Sequence, residues 1–107
     1  MKRRDLNIMA NIKIIEGLKA QLIKIIGDFY VLLTRGSNVA EESIIDCLSG
    51  AIITLYVLAD KLGYSLSKVD DKIKEKLEIG IRAEDEIEKE GRSLSKLKKY
   101  ISNRMDQ

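Results

Sequence analysis

The sequence predicts an all-α protein, a bundle of about four helices within one domain, residues 1–107. Three observations carry this. Apolar residues recur at steps of three and four, the period of one helix face. There is no proline, and the glycines fall at intervals that read as helix ends. No strand pattern, linker or internal repeat interrupts the helical segments.

The first helix is predicted over residues 5–34, with Asp5 as its cap. Ile8, Ile12, Ile15, Leu22, Ile26, Phe29 and Leu33 form its stripe, widened by Ile14, Leu18, Ile25 and Leu32. Gly17 and Gly27 inside it mark a close helix approach or a kink, and Gly36 is the expected C-cap. The second helix is central. It opens on Asn38 and Glu41, spaced for a reciprocal cap, and stops at Gly63. Ile44, Leu48, Ala51, Leu55, Leu58 and Leu62 are predicted to face the core. The opposite side, through Ile53 and Val57, is apolar in its middle, so a second cover is needed and a homodimer is expected. A third helix follows from Ser67, with Val69, Ile73, Leu77 and Ile81 as its stripe. Glu84 to Glu90 is an acidic run that reads as a solvated face, ended by Gly91. Ser93 caps a last helix with Leu94, Leu97, Tyr100 and Ile101 on one side and lysines on the other.

Composition narrows the function classes. The net charge of +2 gives no one-sided field for nucleic acid, and none is expected as a partner. The longest uncharged run, Cys47–Ala59, has 13 residues, short of the roughly 20 that a membrane span needs. Met1-Lys2-Arg3-Arg4 imitates the start of a signal peptide, but Asp5, Asn7 and Asn11 break the apolar segment that should follow. The single Cys47 makes no intramolecular disulfide. These features give a cytoplasmic expectation, with no membrane partner. With no histidine in the chain, imidazole acid–base chemistry and His metal sites are excluded. Carboxylates, lysines or a bound metal would have to do any chemistry.

The candidate residues follow from that. Glu42 and Asp46 lie one turn apart on a helix face and suit a hard cation such as Mg²⁺. Acids at a helix start also favour the macrodipole without any ligand. Glu16 is the one acid in the apolar middle of the first helix; it can face those carboxylates or pair with Lys13 or Lys19. Cys47, inside an apolar run with no basic neighbour, reads as a small core residue. Lys76 and Arg82, after the central helix, are the candidates for phosphate contacts.

Several stretches together resemble the MazG family of all-α nucleoside triphosphate pyrophosphohydrolases. They are Ile15-Glu16, the acidic Glu41-Glu42-Ser43-Ile44-Ile45-Asp46, and Tyr56-Val57-Leu58-Ala59-Asp60-Lys61-Leu62-Gly63, followed by Asp71 to Leu77. The resemblance covers residues 8–82 and leaves a helical extension, 83–107. It implies a bundle of MazG-like type and a nucleoside triphosphate as partner. It also implies Mg²⁺ held by an EExxE motif on one helix and ExxD on the next. Here Glu16-Gly17-Leu18-Lys19-Ala20 stands for the first motif, and the second falls on Cys47 and Gly50 when aligned from Leu62-Gly63. In that alignment Glu16 and Asp46 remain of the usual acids, and a shift of one turn brings in Glu42 and Asp46 with ExxxD spacing, so the resemblance implies a reduced metal set of Glu16, Glu42 and Asp46. The expected function is a pyrophosphohydrolase-like protein with a degenerate metal site and weak or lost activity. The alternative is a non-catalytic helical module for oligomerisation or partner binding.

Overall fold

The computed structural model describes residues 2–36 and 40–105. Among them lie five helices and no strand: α1 (Lys2–Leu33), α2 (Glu41–Lys61), α3 (Leu66–Arg82), α4 (Glu86–Lys89) and α5 (Ser93–Met105). The all-α expectation holds; the additional short α4 falls inside the acidic run. Asp5 lies within α1 rather than at its cap. The cap expected of Asn38 lies outside the described residues, and Ala40 occupies the N-cap of α2 without a side-chain bond. The glycine turns are as read: Gly36, Gly63 and Gly91 have φ of 63°, 93° and 111°. At Gly63 the Tyr64 N–H bonds the Ala59 carbonyl and the Gly63 N–H that of Asp60, a closure that requires the left-handed residue glycine tolerates.

The chain divides into two compact units, Met1–Leu66 and Ser67–Gln107. In the first, α1 and α2 form an antiparallel hairpin. The side of α1 turned to α2 is Ile15, Leu18, Leu22, Ile25, Phe29 and Leu32, all half-buried. Their alternating steps of three and four make a coiled-coil seam. The matching side of α2 is Ile44, Cys47, Ala51, Thr54 and Leu58, with Gly50 alongside. Large residues of α1 therefore meet small ones of α2. Ile25 Cδ1 comes within 3.4 Å of where a Cβ on Gly50 would stand. Thr54, 1% exposed, accepts a hydrogen bond from Gln21 Nε2 (3.2 Å) and donates one to the Gly50 carbonyl (2.7 Å).

This corrects the sequence reading of α2. The stripe expected in the core contains Leu48, Leu55 and Leu62, which are 47%, 53% and 55% exposed. Ile44, Ala51 and Leu58 of that stripe do face α1, but between them the inner seam runs through Cys47 and Thr54, one residue back from Leu48 and Leu55 and on shorter side chains. A second seam, Ile45, Leu48, Ile52, Leu55 and Leu62, faces outward. On α1 an outer set, Ile23, Ile26, Tyr30 and Leu33, is likewise the inner seam moved on by one residue, and is likewise exposed. α2 is also long and apolar enough to cross a membrane by length and composition alone, with a mean hydropathy of 1.6 over its best window. The uncharged run fell short because it stops at Asp46 and Asp60, which such a window tolerates.

In the second unit, Leu77, Gly80, Glu88 and Ile101 are buried. A Cβ on Gly80 would stand 2.7 Å from Leu94 Cδ1, so the backbone of α3 runs close against α5. Lys98 ties α5 to Glu78 of α3 at 3.3 Å. Glu88 departs from the solvated face expected of the acidic run: it is 5% exposed. Its carboxylate accepts from the Ser95 N–H (3.0 Å) and from the Ser95 hydroxyl. It thus serves a donor in the first turn of α5 that has no intrahelical acceptor. The Ser95 hydroxyl, above all, holds the Glu88 carboxyl below the usual glutamate range; the Ser95 and Leu94 N–H groups add to this, and burial opposes it.

Two predictions follow from these contacts. Gly50→Ala should be nearly silent, whereas Gly50→Leu should cost about 1–3 kcal/mol in urea unfolding by overpacking the seam, and Ile25→Ala should relieve part of that loss. Equal stability of the Leu variant would show that the seam is not close-packed. For Glu88 the folded state lowers the pKa. Its contribution is therefore complete above the ordinary glutamate value and is lost as pH falls through the lower folded value. Melting temperatures at about pH 6 and about pH 3 should fall further apart in the parent than in Glu88→Gln. Identical shifts would mean that the Ser95 contact adds nothing.

Candidate functional site

The hairpin register decides which side chains can meet. Gln21 bonds Thr54 and Ile25 abuts Gly50, so one turn up α1 corresponds to one turn down α2. The same register sets Asp28 abreast of Cys47 and Phe29 abreast of Asp46, with Glu16 abreast of Ala59. Glu16 thus lies 13 residues from the level of Asp46, about 20 Å of helix rise. It also points to the outer side of α1, where its Oε2 pairs with Lys19 Nζ at 2.7 Å, with both side chains exposed. The structure does not bring Glu16 together with Glu42 and Asp46.

Glu42 and Asp46 do share a site. They line an open recess of about 670 Å³ at the turn end of the hairpin, on the side away from the outer leucines. Asp28, Arg35, Ser43 and Cys47 line it too. Asp28 is the acid that sequence reasoning missed. Its Oδ2 is 2.9 Å from Lys24 Nζ, one turn back along α1. That hydrogen bond, with the carboxylate's charge behind it, raises the Lys24 pKa above the usual lysine value. The signal was available: in an antiparallel hairpin, residues equally far from the turn face each other. Positions 28 and 47 lie equally far from the midpoint between 37 and 38, so Cys47 pairs with Asp28 rather than with Glu16.

Mg²⁺ demands near-octahedral oxygen coordination, and the chemistry of the residues present can be tested against it. Where the second acidic motif is expected, α2 offers the Cys47 thiol and the bare Gly50 backbone. Abreast of Gly50, α1 supplies the Ile25 side chain, seated where a ligand would need open space. Of the acids at this end, Asp28 is engaged by Lys24. Among the described residues, no three of His, Cys, Asp and Glu are grouped to hold a metal ion. These residues do not fit the two-metal centre that the acidic motifs imply. What the recess does offer is a set of carboxylates beside Lys24 and Arg35, a surface for polar contacts.

Lys76 and Arg82 both lie on α3 and are exposed. They stand about 120° apart around the helix, and Arg82 Nη2 is 3.6 Å from Glu78 Oε2. They do not converge on one anion. A smaller cleft in the second unit, about 290 Å³, is bordered by Glu84, Glu88, Lys89 and Arg92, but its buried Glu88 carboxylate is committed to Ser95.

No curated protein and no solved structure matches the chain significantly. A family model described as the MazG-like family matches residues 8–94. The matched span includes most of α1, the whole of α2, α3 and α4, and the start of α5. On that extent of match, the chain belongs to the MazG-like family.

Proposed function

We propose that this chain is a MazG-like helical module that works by packing against other helices, without metal-dependent nucleotide hydrolysis. The observation that carries the reading is the Ile25–Gly50 contact. It fills with hydrocarbon the level of the hairpin at which the second acidic motif would present a carboxylate. The separation of Glu16 from Asp46 by about 20 Å along α1 supports it. A hydrolase of this type needs metal to lower the pKa of its water and to neutralise phosphate charge, and the chain has no histidine to substitute.

The second reading is a weak, Mg²⁺-dependent nucleoside triphosphate pyrophosphohydrolase acting at the recess. It is favoured by Glu42 and Asp46 sharing that recess with Asp28. Nucleotide and cation would then sit at the turn end of the hairpin, with no part for Glu16.

A pyrophosphate-release assay separates the two, run over NTPs and dNTPs with Mg²⁺ or Mn²⁺ and an EDTA control. The packing reading expects no monophosphate above the EDTA blank and no thermal stabilisation by nucleotide plus metal. Metal-dependent monophosphate formation that disappears in Asp46→Ala would overturn it and establish the hydrolase.

A further inference from the structure

Charge in the second unit is segregated along the chain. Residues 84–90 hold five acids and one lysine, whereas 91–105 hold five cations and no acid. The net charge of +2 averages the two runs and so conceals a local field. α5 then divides its cations by side. Lys98 is turned to α3 and paired with Glu78 at 3.3 Å. Leu94, against Gly80, and the buried Ile101 share that inner side. Lys96, Lys99, Tyr100, Asn103 and Arg104 are exposed and fall within an opposite sector of about 140°. Lys96 and Lys99 have no ion pair among the described residues. Tyr100 stands one turn after Lys96 and one turn before Arg104, whose guanidinium lies over its ring, 5.7 Å from the centroid. The tyrosine stays 61% exposed.

We propose that this outer face of α5 binds a single-stranded nucleic acid, with Tyr100 stacking on a base and Lys96, Lys99 and Arg104 taking the phosphates on either side. Three observations select that occupant. The first is charge: a face with three cations and no acid is complementary to a polyanion. The second is length. Lys96 to Arg104 rises about 12 Å, room for three or four phosphates at the roughly 3.4 Å spacing of a stacked strand, and three cations stand along it. The third is the tyrosine. An exposed aromatic ring set among cations is a platform for an unpaired base, which a duplex keeps inside its own stack. A lipid surface fits less well. A basic helix lies on a membrane by burying its apolar side, and α5 has spent that side on α3 through Leu94 and Ile101.

The inference goes beyond the packing reading, concerns the other compact unit, and stands or falls without it. Fluorescence anisotropy of the full chain with labelled oligo(dT) of about 15 nucleotides at low salt should show saturable binding, half complete at about 1–100 µM. The logarithm of the affinity should fall against the logarithm of salt concentration with a slope of roughly −2, about 0.7 for each of three cations. Lys99→Gln should make that slope shallower by about 0.7. Tyr100→Ala should weaken binding at least fivefold with the slope unchanged, and Tyr100→Phe should restore it. Lys13→Gln, an exposed cation of α1, should alter neither quantity, and circular dichroism should show every variant as helical as the parent. Absence of binding would overturn the proposal. So would a duplex of the same length binding as tightly, or Lys13→Gln weakening the complex as much as Lys99→Gln. Thymidine monophosphate competing at the oligonucleotide's own dissociation constant would reduce the face to a mononucleotide subsite and overturn it too. Tighter binding to phosphatidylserine vesicles than to the oligonucleotide would assign the face to lipid instead.

Discussion

The close approach of α1 and α2 over short side chains is the constraint from which the rest of the first unit follows. Cys47, Gly50, Ala51 and Thr54 let the larger residues of α1 come down onto the backbone of α2. Thr54 then locks the register, because its hydroxyl is shut away from water and must find partners in Gln21 and the Gly50 carbonyl. A slip of one turn would leave that hydroxyl without Gln21. With the register fixed, so is everything abreast of it: Asp28 beside Cys47, Ile25 on Gly50, and Glu16 a long way up the hairpin.

The same constraint explains why acids spaced suggestively in sequence do not form one site. A metal centre between two helices needs carboxylates on their facing sides at one level. Here the facing sides are taken by packing. The carboxylates lie on the flanks, Asp28 and Asp46 to one side and Glu16 to the other. Lys24 reinforces the separation by pairing with Asp28, so that acid already has its counter-charge.

Much of the fold was legible, and for a definite reason. Glycines that must take positive φ punctuate helices openly, and Gly36, Gly63 and Gly91 do so here. The faces were harder to read. Periodicity gives the angle between stripes but not which stripe turns inward, and hydrophobicity favours the larger residues. The Leu48–Leu55–Leu62 stripe therefore looked like the core, although close helix contact selects small residues. Glu88 was hidden by its neighbours, since an acidic run reads as solvated on average; the unmet donors at the start of α5 were the clue to its burial. At the recess, Glu16 drew attention because it was conspicuous within an apolar stretch. Asp28 was overlooked although its distance from the turn already placed it opposite Cys47.

The outward leucines carry one more implication. Turning α2 by 100° about its axis would bury them against α1, and each fully buried leucine is worth roughly 1.5–3 kcal/mol. The chain forgoes that gain internally and holds it for whatever docks on the face. Any partner that covered the face would link folding to association, and stability would rise with the logarithm of that partner's concentration. The partner's supply would then act as a thermodynamic variable for this chain: its withdrawal alone, with no change of sequence, temperature or solvent, would make the chain easier to unfold.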